Sequence, residues 1–257
     1  MLNGIEERIE YFFNAIKSIK EHTDKIDLEF AHAPIYFILL DILAKYAFPN
    51  ENKGNVRFLN LIDSYSNWEY KNYVSILLLK DLLEIEKNKK CFKENKDYED
   101  LWKKVNETRN KWGQNLQKGK IYIPKEADLT IDKFNFLNKD NRYWGLIKKC
   151  RYSSCIYKMR NGIIHDFTSP SAPDWCNESD EVIEVPRYFY SSEINAYTLR
   201  ISHKFIPILL EECFSNLKVD TMQKINKYDP YKIYKKYPDW FPIDRKNNNC
   251  IKRKKNK

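Results

Sequence analysis

Arg160, Asn161 and His165 stand together in the run Tyr157-Lys158-Met159-Arg160-Asn161-Gly162-Ile163-Ile164-His165-Asp166-Phe167, and their chemistry suits cutting RNA without a metal. An arginine is always cationic and forks onto a phosphate, a histidine moves a proton near neutral pH, and an asparagine can hold an imidazole in place. Cleavage needs a ribose 2′-hydroxyl to lose a proton, the leaving 5′-oxygen to gain one, and the charge of the crowded phosphorane to be stabilised. His165 fits the proton carrier and Arg160 the charge stabiliser, giving a 2′,3′-cyclic phosphate and a 5′-hydroxyl. No carboxylates cluster at metal-binding spacing near this run, so the expected reaction is metal-independent and takes no cofactor.

The spacing sets the geometry if the run is an α-helix. Asn161 and His165 are four apart and share a face, so the amide is expected to reach the imidazole. Arg160 and His165 are five apart, about 140° around the axis and roughly 7.5 Å along it. On that reading a single copy grips a phosphate poorly, whereas two copies across a two-fold axis line a groove with two arginines and two histidines. Gly162 lies between them, and its missing side chain is expected to let a second backbone or a nucleotide approach.

The elements that must carry this run read as mostly helical. Ile5, Ile9, Phe12, Phe13, Ile16 and Ile19 recur at helical spacing in a first helix ending near Lys20. A second, with Pro34 in its first turn, carries Tyr36, Leu39, Leu40, Leu43 and Tyr46 and stops at Pro49. A short third follows Gly54, with Val56, Phe58, Leu59 and Ile62 inward, and a fourth spans about Trp68 to Ile85. Residues 86–141 read as an irregular insertion, in which Ile121, Ile123, Phe134 and Phe136 alternate as a small β-ribbon would. Tyr152, Ile156, Met159 and Ile163 form one stripe through the motif, making it part of a core-packed helix. A Pro-Ser turn follows at Ser169 to Pro173, then a possible hairpin over 181–190 and a last helix from about Glu193 to Leu217. The expected organisation is an all-α bundle over 1–220 and a basic, flexible tail over 221–257.

Composition bounds the class. Six glycines and ten prolines in 257 residues are too few for a many-turned β-sandwich. The net charge of +9 permits a polyanionic partner, although a chain rich in Lys, Asn, Ile and Tyr reaches such a charge through its coding bias alone. Six cysteines without a C-x-x-C pair, and no leader-like start, point to reduced thiols in a cytoplasmic protein. The longest apolar run, Ile35 to Leu40, ends at Asp41 and is too short to span a bilayer, so no membrane partner is expected.

The string Arg160-Asn161-Gly162-Ile163-Ile164-His165 resembles the R-x(4 to 6)-H signature of HEPN domains, whose first variable position is typically Asn, Asp or His. The resemblance covers the motif helix closely and the other helices only in kind. It implies an all-α HEPN-like bundle and a homodimer that assembles a composite ribonuclease site through the motif helix. It also implies work in toxin-antitoxin, abortive-infection or other antiviral systems, with an antitoxin or sensor as partner. Of this chain's residues it nominates Arg160, Asn161 and His165. One departure matters: HEPN toxins silenced by nucleotidyltransferase antitoxins typically carry a tyrosine two residues after the histidine, where this chain has Phe167. Without a phenol, no hydroxyl there can accept a nucleotide.

Plainer readings compete. Arg160 can cap the end of its helix while His165 is a satisfied core residue, leaving a non-catalytic RNA-binding or scaffold module. His203 reads as lying inside the last apolar helix, and His22 and His32 as surface or capping groups. Trp68, Trp102, Trp112, Trp144 and Tyr152 can stack bases, but aromatics at helical spacing more often fill a core.

Overall fold

A computed structural model describes residues 2–26, 29–90, 92–93, 95–113, 123–166, 174–176, 185–191, 196–202 and 204–227. Its helices are α1 (Leu2–Thr23), α2 (Glu29–Ala47), α3 (Gly54–Tyr65), α4 (Ile76–Lys87), α5 (Lys96–Gly113), the single turn α6 (Pro124–Ala127), α7 (Arg142–Lys149), α8 (Tyr152–Asn161) and α9 (Phe205–Lys227). Strands β1 (Tyr73–Val74) and β2 (Leu129–Thr130) pair antiparallel. Strands β3 (Asp174–Cys176), β4 (Arg187–Ser191) and β5 (Ala196–Ser202) make a second sheet in the order β3-β5-β4. The class is therefore mostly helical with two small sheets, in line with the sequence reading.

Two apolar cores account for this arrangement. The larger gathers Phe13 of α1, Leu40 and Leu43 of α2, Phe58 and Ile62 of α3, Ile156 and Met159 of α8, Leu209 and Cys213 of α9, and Tyr188 and Leu199 of the sheet. The smaller joins α4, α5 and α7 through Leu79, Leu83, Leu101, Val105 and Ile147. Burying each such side chain favours folding by about 1.5–3 kcal/mol, so helix propensity is secondary to these interfaces. Between the two cores, Ser75 caps α4 by accepting from the backbone N–H of Leu78, and the backbone N–H of Ser75 donates to the carbonyl of Cys150 at 2.9 Å.

Several expectations need correction. Residues 86–141 are not simply irregular, because Tyr98, Leu101 and Val105 recur at helical spacing and bury one face of α5. The β-ribbon is not built from Ile123 and Phe134: Ile123 precedes α6 and Phe134 lies in a 3₁₀ turn, while Leu129 and Thr130 pair with β1; Ile121 lies outside the described residues. The segment Trp68 to Ile85 is broken into a 3₁₀ turn, β1 and α4. Pro34 sits within α2, which begins at Glu29, and so removes one backbone hydrogen bond there.

The strongest revision concerns the last helix. Tyr197, Leu199 and Ile201 are buried at a spacing of two, so this stretch is strand β5, and the helix starts only at Phe205. The hairpin over 181–190 becomes β4 paired with β5, in the register Tyr188 opposite Leu199; residues 181–184 lie outside the described residues. Helix α9 continues to Lys227, so residues 221–227 are helical rather than tail. The remainder of the expected tail, and the Pro-Ser turn, lie outside the described residues. Among the described residues no helix is long and apolar enough to cross a membrane.

Candidate functional site

Helix α8 places the motif by burying Tyr152, Cys155, Ile156 and Met159 in the larger core. Arg160 follows the last of these, which turns its side chain off the buried stripe, and it is half-buried. At Gly162 the helix widens: Gly162–Asp166 is a π-helical turn with i→i+5 hydrogen bonding. Residues five apart then stand one above the other. Arg160 and His165 thus meet within a single chain, with Nη1 of the guanidinium 3.2 Å from Nε2 of the imidazole.

This overturns the geometry drawn from a regular α-helix. Arg160 and His165 do not lie on different sides of the helix, because the inserted π turn rotates the histidine back over the arginine. Nor do Asn161 and His165 form a pair of their own: the Asn161 side-chain oxygen accepts from Arg160 Nη1 at 2.8 Å. All three sequence-nominated residues are brought together, but with the guanidinium as hub. His165 is exposed rather than a satisfied core residue. Gly162 is buried, so it is not a point of approach for a nucleotide, and its φ of −59° is one that any residue adopts.

The hub is anchored by a residue the sequence reading passed over. Asp41, on α2, accepts from Arg160 Nε at 2.9 Å and from Nη2 at 2.5 Å, both through Oδ2. With side-chain exposures of 17% for Arg160 and 29% for Asp41, the ion pair is largely shielded, and its two donors fix the guanidinium plane. Hydrogen bonds to charged groups of this kind contribute roughly 1.5–3 kcal/mol. The signal was present as a single carboxylate inside the otherwise apolar stretch Ile35 to Ala44 of α2.

The arrangement has clear chemical capacities. Arginine can only donate, so Nε2 of His165 accepts and a neutral imidazole here carries its proton on Nδ1. The guanidinium also lies 5.8 Å from the ring centre of Tyr157, which in turn packs 5.4 Å from Phe58. Beyond the ion pair a groove of about 270 Å³ runs between α2, α3 and α8, bounded by Asp41, Lys45, Arg57, Tyr157 and Arg160.

The other candidates fall elsewhere. Trp68, Trp144 and Tyr152 are buried in the cores, and the side chain of Trp112 lies outside the described residues. His22 and His32 hydrogen-bond to the carbonyls of Ser18 and Ile26 at 2.7 and 2.6 Å. His203 falls between β5 and α9 and, like Phe167, lies outside the described residues. Among the described residues no three His, Cys, Asp or Glu side chains are grouped as metal ligands would be. Compared with protein-family models, with curated proteins and with solved structures, the chain matches none of them.

Proposed function

We propose that this chain is a metal-independent endoribonuclease of the HEPN kind, with Arg160, Asn161 and His165 as its working residues. The observation that carries this reading is the exposed His165 Nε2 lying 3.2 Å from an arginine that Asp41 holds in orientation. A phosphate oxygen approaching Nη1 displaces the imidazole contact, freeing Nε2 to take the 2′-hydroxyl proton while the guanidinium stabilises the phosphorane. Asn161, bonded to the same Nη1, steadies that edge of the guanidinium. One imidazole cannot be base and acid at the same moment. The second proton transfer falls to the His165 of another copy, in a homodimer formed through the motif helix. The biological setting that the motif's resemblance implies is toxin-antitoxin, abortive-infection or antiviral defence, with an antitoxin or sensor as controlling partner.

The test is direct. Purified protein is incubated with single-stranded RNA in EDTA and the ends are analysed; 2′,3′-cyclic phosphate and 5′-hydroxyl termini are expected. His165→Ala should abolish cleavage while leaving the melting temperature within a few degrees, and Arg160→Ala should abolish it too, with a melting temperature lowered by several degrees because the pair with Asp41 is lost. The competing reading, a non-catalytic helical module, draws on the full engagement of Arg160 by Asp41, Asn161 and His165, which would make the cluster a fastening between α2 and α8. An inert wild type whose melting temperature drops sharply with His165→Ala would establish that alternative.

A further inference from the structure

We infer that the groove between α2, α3 and α8 is a nucleoside subsite, seating the base and ribose next to the phosphate that Arg160 holds; this rests on the nuclease reading. Continuity with the motif is the first support. Arg160 both bounds the groove and touches His165, so a phosphate on its guanidinium has its neighbouring nucleoside directed into the groove.

Size and lining agree with a single nucleoside. Small-molecule sites run from roughly 300 to 1,000 Å³, and at about 270 Å³ this groove takes one nucleoside but not a dinucleotide. Its apolar wall includes Ile38 and Ile42, which are 47% and 39% exposed on a helix whose other apolar positions are largely buried. Together with the Tyr157 side chain they offer a flat base an apolar slot. Arg160 uses only Oδ2 of Asp41, which leaves Oδ1 as an acceptor for a base N–H or a ribose hydroxyl.

Charge selects the occupant. Lys45 is exposed and makes no ion pair among the described residues, and Arg57, whose Nη1 donates to the Glu51 carbonyl at 2.7 Å, contributes a second cation. With Arg160 these give three positive charges against the one carboxylate of Asp41, a balance that favours RNA, with its next phosphate at Lys45.

The experiment separates the subsite from the nuclease. Binding of fluorescein-labelled single-stranded RNA oligonucleotides is measured by anisotropy in the His165→Ala background, where turnover cannot interfere. Adding Ile42→Glu or Lys45→Glu, both exposed changes, should weaken binding at least tenfold. Cleavage of substrates varied in one base on either side of the scissile bond is measured in parallel, and Ile42→Trp should change the preference on one side only. Tight, Lys45-dependent binding without any cleavage in the wild type would support the subsite and sink the nuclease. Active cleavage with binding and base preference untouched by all three variants would overturn the subsite and keep the nuclease. Variants that alter only the sedimentation coefficient would make the groove a self-association surface and equally overturn the proposal.

Discussion

Asp41 decides how the Arg160 guanidinium is oriented, because two of the arginine's donors converge on one carboxylate oxygen and leave Nη1 pointing at Asn161 and His165. Asp41→Ala should therefore lower kcat on RNA by about tenfold with little change in KM, through misorientation rather than lost contact. It should also cost roughly 1–3 kcal/mol of stability, since the largely shielded guanidinium loses its counter-charge; steady-state kinetics and urea titration check the two effects separately. Loss of stability without any kcat change would reduce Asp41 to a fastening. At this scale the sequence made the motif legible by residue type and order, while Asp41 lies 119 positions away from Arg160 and no local pattern joins them.

The π turn and the anchoring of α8 belong to the scale of the element. Helix α8 is held at its start by Arg151, which reaches Asp63 of α3 at 2.5 Å and Asn72 at 2.9 Å. Next to it, Tyr152 and Tyr188 both donate to Oδ2 of the buried Asp128, whose Oδ1 accepts from the backbone N–H of Ile76 at 2.9 Å. Burial pushes the Asp128 carboxyl up to about 7, outweighing hydrogen bonds that pull the other way. In the unfolded chain an aspartate titrates near 3.9, so between about pH 4 and 7 the folded state holds a proton that the unfolded state has released. Stability from this group is thus present at low pH and lost as pH rises through 7. Asp128→Asn, a neutral mimic of the protonated acid, should match wild type near pH 4 and be the more stable of the two at pH 8. Thermal unfolding across that range checks this, and identical pH profiles would refute it.

The same scale shows where periodicity was misread. Tyr197, Leu199 and Ile201 announce a strand by their spacing of two, but the helical pattern that begins at Phe205 adjoins them and draws the boundary forward. Tyr98, Leu101 and Val105 were equally readable as a helical face, and the surrounding charge of α5 obscured them. The break between α7 and α8 at Cys150 and Arg151 answers to tertiary pairing with Ser75 and Val74 rather than to any local breaker.

For the whole molecule, the proposed mechanism with two imidazoles predicts an activity that depends on association. Specific activity should rise with protein concentration in step with dimer formed in sedimentation measurements, and activity that is first order in protein down to a purely monomeric range would contradict the composite site. The electrostatic reach of the chain is also predicted to be local. If three cations in and beside the groove meet RNA, the logarithm of the binding constant should fall against the logarithm of salt with a slope of about −2, from roughly 0.7 per phosphate contact on a single strand. A much steeper slope would mean that the net charge of +9 is engaged well beyond the groove.

By itself the sequence determined the helical class, most of the core stripes and the identity of Arg160, Asn161 and His165, because these follow from residue types and short-range periodicity. What only the tertiary structure decided is their mutual geometry. A π turn after Asn161 adds one residue to the helical repeat, which sets His165 over Arg160 within one chain, and the packing of α2 beside that turn supplies the carboxylate that orients it. Spacing counted on an ideal helix cannot register either, since the first is a change of period and the second a contact between segments far apart in the chain.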